Sequence, residues 1–92
     1  MYNFDRTWYI FWPIEVGSKL LELGLDTWEV EAMFRAAGTR RTPGREGTID
    51  AVGTTGSGRV LWLVVERDSN DGMLVMKEIV ELSPEDLADI SR

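Results

Sequence analysis

Neither cysteine nor histidine occurs in the chain. Without cysteine there is no disulfide, no thiol nucleophile and no thiolate metal site. Without histidine the chain lacks the commonest general base and the commonest zinc ligand. We therefore expect a protein that holds no metal or other cofactor, and any proton transfer that it catalyses would have to use a carboxylate or a lysine.

Long apolar runs are missing as well, since no stretch approaches the roughly 20 residues of a membrane span. Residues 2–13 are aromatic, but they have no basic leader and no small-residue cleavage site, so they do not resemble a signal peptide. We expect a cytoplasmic protein that makes no membrane contact.

The charges are unevenly distributed along the 92 residues, a length that suits a single domain. The net charge is −6, yet the only charged residues between positions 35 and 45 are arginines: Arg35, Arg40, Arg41 and Arg45. Scattered surface arginines would simply keep the protein soluble. The alternative is an anion-binding loop within an otherwise acidic surface.

A glycine-rich segment, Gly53–Arg59, precedes the most apolar run of the chain, Val60–Val65. A short continuous run of β-branched and aromatic residues is typical of a strand that is buried on both faces. Such a strand needs a neighbour on each side, and residues 48–52 and 73–82 are the nearest candidates. We predict an antiparallel meander in which residues 59–67 form the central strand.

Two helices are predicted before this sheet. Asp26 and Glu29 have the spacing of a capping box at the start of a helix over residues 27–37. An earlier helix over residues 13–23 is indicated by apolar residues at helical spacing, namely Ile14, Gly17, Leu20 and Leu21.

The remaining segments complete the predicted order β-α-α-β-β-β-α of a small α+β domain. Residues 1–6 are a lead-in, residues 7–12 are a strand, and Thr39–Gly47 is a loop. Ser83 and Pro84 mark the start of a helix over residues 84–91. In the last strand we expect the core to receive Leu74, Met76, Val80 and Leu82.

Two segments resemble ligand-binding loops but have simpler interpretations. The Gly53–Gly58 segment lacks the Lys-Ser/Thr of a phosphate loop and precedes a strand, so it is interpreted as a hairpin turn. Asp68, Asn70 and Asp71 resemble part of a calcium loop, but no closing glutamate follows. Both segments are therefore predicted to be turns, and no metal site is predicted.

Arginines carry the strongest chemical signal. Guanidinium groups bind phosphate in a bidentate manner and stabilise a charged transition state without titrating. We expect Arg35, Arg40, Arg41 and Arg45 to lie near Arg59 and to contact nucleic acid. Arg59 is the candidate for transition-state stabilisation, and Glu46 and Lys77 are the candidates for proton transfer.

Several stretches of the chain resemble the BrnT family of toxins from type II toxin–antitoxin modules, within the RelE/ParE superfamily. The family's signature turn, Gly-Arg-Thr-x-x-Gly-Arg, is similar to Gly53–Arg59 with the same spacing. Its Glu-Glu-Val-Phe helix resembles Glu29–Phe34, and its N-terminal motifs resemble Phe11–Pro13 and Glu22–Leu25. The resemblance covers Phe11–Ile90.

This resemblance implies a sheet covered by helices, a metal-independent ribonuclease activity on RNA, and a cognate antitoxin as partner. Among the family's active-site positions, Arg59 and, loosely, Glu46 have counterparts here.

Two other functions compete with the toxin. The chain could be a catalytically silent, acidic inhibitor of phage or plasmid origin that occupies a nucleic-acid-binding groove in a defence complex. It could also be a partner-binding module that uses an exposed aromatic lead-in, Tyr2, Phe4 and Trp8.

Overall fold

The computed structural model describes residues 9–67 and 73–86. They form a small α+β domain in which helices lie on one face of a mixed five-stranded sheet, which confirms the predicted class. In chain order the elements are β1 (Ile10–Phe11), α1 (Ile14–Leu23), α2 (Thr27–Arg35), β2 (Arg40–Pro43), a 3-10 helix (Arg45–Gly47), β3 (Thr48–Thr54), β4 (Val60–Arg67) and β5 (Leu74–Glu81).

The strands lie in the order β1-β5-β4-β3-β2. Strands β2 to β5 pair with their neighbours antiparallel, as the meander predicts, whereas β1 pairs parallel with β5. The expectation of an antiparallel sheet is therefore wrong at this edge. The two helices lie between β1 and the meander in the chain. This connection allows β1 to pair with the free edge of β5.

The predicted loop over Thr39–Gly47 contains a strand, so the predicted element order is also incomplete. Strand β2 pairs with β3, and the Gly44 N–H donates to the Thr48 carbonyl over 2.8 Å in the connecting hairpin. Pro43 makes this strand difficult to predict from the sequence, because proline is tolerated in a sheet mainly at an edge. Strand β2 is such an edge.

Strand β4 is buried on one face only. Leu61, Leu63 and Val65 are fully buried against the helices, whereas Trp62 between them is 38% exposed. The expectation that both faces are buried is wrong, since α1 and α2 pack on the same side. We call the helix-covered side the inner face and the other side the outer face.

A β-bulge at Lys77 changes which residues of β5 face the core. Val65 pairs with Met76 and Val64 pairs with Glu78, so Lys77 is the extra residue. Ile79 is buried as a result, and Val80 lies on the outer face beside Trp62. The predicted burial of Val80 is wrong, and the bulge keeps the Glu78 carboxylate out of the core.

Helix α1 buries only Leu20 of the four residues that the spacing assigns to its apolar face. Val16 and Leu20 are buried and Leu23 packs against the core, whereas Ile14 and Leu21 are 85% and 80% exposed. The helix ends at Gly24, whose φ of 70° is left-handed and favours glycine.

Helix α2 ends at Arg35, two residues before the predicted end. The buried Thr39 hydroxyl donates to the Met33 carbonyl, and the Arg41 guanidinium donates to the Phe34 carbonyl over 2.5 Å. These side chains satisfy the last carbonyl groups of the helix, which the helix itself cannot do. At its start Asp26 is the N-cap residue but makes no side-chain capping bond.

The end of the described chain carries a reciprocal capping box. The Ser83 N–H donates to the Asp86 carboxylate over 3.0 Å, and the Asp86 N–H donates to the Ser83 hydroxyl over 3.2 Å. Residues 84–86 are helical. The rest of the predicted helix, residues 1–8 with the aromatic Tyr2, Phe4 and Trp8 and the start of the predicted first strand, and the Asp68–Asp71 turn lie outside the described residues. Within the described ranges, no helix has the length and apolar character to cross a membrane.

Candidate functional site

The three predicted catalytic residues lie at two different ends of the sheet. Arg59 directly precedes β4, whereas Lys77 pairs with Glu66, near the far end of β4, at 3.6 Å. The six residues between these ends correspond to about 20 Å of strand. Glu46 lies at the Glu66 end, because the start of β3 pairs there. The geometry therefore brings Glu46 and Lys77 to one end and leaves Arg59 at the other.

Arg59 is held in a bidentate ion pair with Glu81. Its Nε and Nη2 atoms donate to the two carboxylate oxygens over 3.0 and 2.6 Å. This hydrogen bonding to Arg59 lowers the pKa of Glu81, and the pairing raises the pKa of Arg59. The guanidinium N–H groups that would bind a phosphate are thus already bonded to a carboxylate of the same chain.

A second carboxylate, Glu29 of α2, is hydrogen-bonded to the turn that precedes Arg59. The Ser57 hydroxyl donates to Glu29 Oε2 over 2.5 Å, and the buried Thr55 hydroxyl lies 3.0 Å from the Ser57 hydroxyl. The hydrogen bond from Ser57 lowers the pKa of Glu29, so this carboxylate is a poor base. The glutamate expected in a capping box instead ties the helix to the hairpin.

The basic residues do not form one cluster. Arg35 pairs with Glu31 within α2 at 3.5 Å, and Arg41 caps the same helix through the Phe34 and Ala36 carbonyls. Of the four arginines predicted to bind nucleic acid, Arg40 and Arg45 are exposed and have no ion pair or side-chain hydrogen bond within the described ranges. The predicted nucleic-acid-binding set is thus divided between helix-bound and exposed arginines.

Cavities and metal sites offer little chemistry. Among the described residues, no three acidic side chains are close enough together to hold a metal ion. A shallow cavity of about 400 Å³ lies over Trp28, Ala32, Gly56 and the Glu29–Ser57 pair. Another, of about 290 Å³, lies between α1 and β5. In the first cavity the Ser57 hydroxyl is bonded to a carboxylate whose pKa is lowered, and the lining of the second cavity has no hydroxyl or thiol group.

The outer face of the sheet is the largest feature that the sequence-based site does not include. Strand pairing sets Val52, Trp62 and Val80 side by side, and Phe11 beside Val75. The aromatic residues here are exposed: Tyr9 by 79%, Phe11 by 54% and Trp62 by 38%. The apolar residues of this face are Tyr9, Phe11, Val52, Val60, Trp62, Val64, Val75 and Val80.

Charged residues lie among the apolar residues of this face as well as at its edge. Arg40 is in register with Val52 at the β2 edge, and Glu78 is in register with Val64 on β5. Glu66 and Lys77 form an ion pair beside Val75. Aromatic residues are enriched in protein–protein interfaces, where polar and charged residues accompany them.

The sequence did not lead us to the outer face, because the apolar run of β4 predicts that other elements pack on both sides of that strand. The signal was present in the unbroken apolar run of β4 and in the exposed alternation of Tyr9 and Phe11. What the run could not reveal is that both helices pack on the same side.

Comparison with known proteins adds no relative. No protein-family model matches the chain, and no curated protein or solved structure matches it. The resemblance to BrnT toxins therefore stays a hypothesis that rests on the motif residues alone.

Proposed function

We propose that the protein is a non-catalytic protein-binding domain that holds its partner on the outer face of the sheet. The observation that carries this proposal is the exposure of Tyr9, Phe11 and Trp62 on the same face of the sheet. Single exposed apolar residues are common, but three exposed aromatic residues on one face of a sheet indicate an interaction site. Aromatic residues are also the side chains that most often dominate binding energy.

Trp62 would be the central anchor of this interface. It lies on the middle strand of the sheet, between Val52 and Val80, so a partner that covers the face must cover it. The neighbouring valines are stiff side chains that lose little rotamer freedom on binding. A partner with an apolar surface of similar width fits this face.

The ion pairs at the two ends of β4 support a binding role over a catalytic one. Arg59 pairs with Glu81 at one end, and Lys77 pairs with Glu66 at the other. The same pairs weigh against an inhibitor that imitates nucleic acid, since two of its acidic groups already face a cation. We therefore retain the inhibitor hypothesis only in a form in which the protein recognises its partner through apolar contacts.

Site-specific photo-crosslinking in cells tests the proposal. A photoreactive phenylalanine analogue at position 62 should capture a partner, while the same analogue at position 28 should not. Trp28 is the matched control, because it is 70% exposed but lies on α2, away from the outer face. Equal capture at both positions, or capture at position 28 alone, would refute the proposal.

An RNA-cleaving toxin is the second candidate. The exposed Arg40 and Arg45, which have no ion pair within the described ranges, favour it, because free guanidinium groups attract a phosphate backbone. Induced expression in a bacterial host should then arrest growth and degrade RNA, and Arg40→Ala/Arg45→Ala should relieve both effects. Normal growth with intact RNA would exclude this candidate.

A further inference from the structure

Strand β5 is an inner strand of the sheet for only part of its length. Strand β1 pairs with two of its residues, Leu74 and Val75, and the chain then leaves the sheet for α1 at Pro13, which has no N–H to donate to a neighbouring strand. On the side of β5 away from β4, no described strand pairs with residues 77–81. We call these five residues the free edge of β5.

The backbone groups of the free edge alternate in direction. The Leu82 N–H donates to the Val60 carbonyl of β4 over 2.9 Å. In an antiparallel pair, backbone bonds to the neighbouring strand recur at every second residue. Val80 therefore directs its N–H and C=O groups at β4, whereas those of Ile79 and Glu81 point away from it. No residue that the structure describes forms a backbone hydrogen bond with these outward groups.

The cavity of about 290 Å³ between α1 and β5 lies along the free edge. Its lining includes both Ile79, which faces the inner side of the sheet, and Val80, which faces the outer side. A cavity that reaches residues of both faces lies at the edge of the strand and not over one face. Its opposite wall is formed by Glu15, Val16 and Lys19 of α1. The cavity thus occupies the place where a further strand would pair with β5.

We propose that this cavity binds an extended peptide segment of a partner protein, which adds to the sheet as a strand beside residues 77–81. Only an extended backbone presents N–H and C=O groups at the spacing of a strand edge, so the edge itself selects this occupant. Main-chain hydrogen bonds supply the affinity of such strand addition. Val16 and Ile79 provide an apolar surface for the peptide side chains that face the helix.

Helix α1 limits the occupant to a single strand. Because the helix forms the second wall of the cavity, one extended chain fits beside β5, but the edge of a second folded sheet would meet α1. The opposite edge of the sheet, β2, carries Pro43 and the exposed Arg40, which protect an edge from strand addition. On β5 the bulge at Lys77 lies at the start of the free edge, and regular pairing with β4 resumes at Glu78.

The charges of the cavity favour a peptide with a basic side chain. Lys77 already pairs with Glu66 at 3.6 Å. Glu15, Lys19 and Glu78 also line the cavity, and they form no ion pair among the described residues. The unpaired groups are therefore two carboxylates and one ammonium group. A lysine or arginine of the peptide complements the excess of negative charge.

This site goes beyond the proposed function and does not depend on it. Trp62 lies on β4, so β5 separates it from the place of the added strand. The outer face offers side chains to a folded surface, whereas the free edge offers backbone groups to a single extended segment. Each site therefore has its own test.

Selection of binders from a phage-displayed library of random linear peptides on the immobilised full chain supplies the probes. Enriched peptides are synthesised, and we expect them to contain a basic residue. Lys19→Trp should weaken their binding by roughly tenfold or more, because the indole ring fills the cavity. Glu22→Trp adds the same ring to α1 outside the cavity and is the matched control. Lys19→Gln removes the charge without filling the cavity and should leave binding at least as tight.

Methylation of the peptide backbone tests the pairing with β5. A methyl group on an N–H that points at β5 removes a hydrogen bond and introduces a clash, so affinity should fall roughly tenfold or more at every second peptide residue. In the protein, bound peptide should slow amide hydrogen exchange at Ile79 and Glu81. Exchange at Val80 should change little, because its N–H already bonds to β4.

Several results would overturn the proposal. These are a selection that enriches no peptide, equal affinity for Lys19→Trp and the wild type, and a methylation scan without a period of two. Peptides that lose affinity for Trp62→Ser but not for Lys19→Trp would assign peptide binding to the outer face instead. Dimerisation of the wild type that Lys19→Trp abolishes would assign the free edge to a second copy of the chain. Photo-crosslinking through position 62 reports on the outer face alone and is independent of all these outcomes.

Discussion

The two faces of the sheet are built from alternate residues of the same strands, yet they differ in cover. On β4 the inner Leu61, Leu63 and Val65 are fully buried, while the outer Trp62 is 38% exposed. The strand itself is apolar on both faces. The comparison shows that packing within the described fold accounts for the inner residues, whereas the outer ones are apolar without a cover from α1 or α2.

The largest expected effect comes from the inner face. Leu63→Ala should lower the free energy of unfolding by about 2–5 kcal/mol, because it leaves a cavity between β4 and the helices. That is a large share of the roughly 5–15 kcal/mol of a small domain. Urea denaturation followed by circular dichroism measures the loss. A loss below about 1 kcal/mol would mean that the inner face is not the core of the fold.

A smaller effect is expected where β3 meets the end of α2. A Cβ atom on Gly53 would lie 2.5 Å from the Thr39 hydroxyl oxygen and 2.9 Å from the terminal carbon of Met33. Gly53→Ala should therefore cost about 1–3 kcal/mol of stability. Gly56→Ala, in the same glycine-rich segment, meets no neighbour within 4 Å and is the control. Equal effects of the two substitutions in urea denaturation would contradict the close approach at Gly53.

Some of the inner face could be predicted from the sequence because its signals are local. The apolar run Val60–Val65 after a glycine-rich turn indicates a central strand, and β4 lies in the middle of the sheet. Val30, Met33 and Phe34 recur at helical spacing, and α2 buries all three. Such patterns depend on neighbours in the chain, so they can be read without knowing the fold.

What could not be predicted depends on tertiary contacts. The bulge at Lys77 moves Ile79 into the core, and no turn or proline marks it in the sequence. Helix α1 has two apolar faces, so its spacing alone cannot select Val16 over Ile14 for burial. Nothing in the sequence indicates that Arg59 forms an ion pair with Glu81, which lies 22 residues further along the chain.

On the outer face we expect a smaller change in stability. Trp62→Ser should lower the free energy of unfolding by about 1–2 kcal/mol, because it removes cross-strand contacts with Val52 and Val80 but leaves no closed cavity. With the photoreactive analogue placed at position 11 of the same face, Trp62→Ser should nevertheless abolish partner capture. Side-by-side denaturation of Trp62→Ser and Leu63→Ala measures the contrast between adjacent residues. Comparable losses would show that the outer face is packed as tightly as the inner one, and would remove the basis of the proposed interface.

The smallest effect concerns pH and the exposed carboxylates at the Arg59 end of the sheet. Hydrogen bonding to Arg59 lowers the pKa of Glu81, and the bond from Ser57 lowers the pKa of Glu29, both from an ordinary value of 4.5. A carboxylate with a lower pKa in the folded state stabilises the fold above its unfolded pKa, and that contribution disappears as the pH falls through the folded value. The thermal midpoint should therefore decline as the pH is lowered below about 4.5, with only a modest change because water screens these groups.

Glu81→Gln should reduce this pH dependence by lowering the midpoint at pH 7 and leaving it nearly unchanged at acid pH, where the carboxylate of the wild type is already protonated. Glu85→Gln, at an exposed glutamate outside the network, is the matched control. The measurement is the difference in thermal midpoint between each variant and the wild type across the acid range. In contrast to Leu63→Ala, which lowers stability at every pH, the Glu81 substitution should converge with the wild type as the solution is acidified. A constant difference at all pH values would show that Glu81 stabilises the fold by packing and not by its charge. The ion pair with Arg59 would then not be what stabilises this end of the sheet.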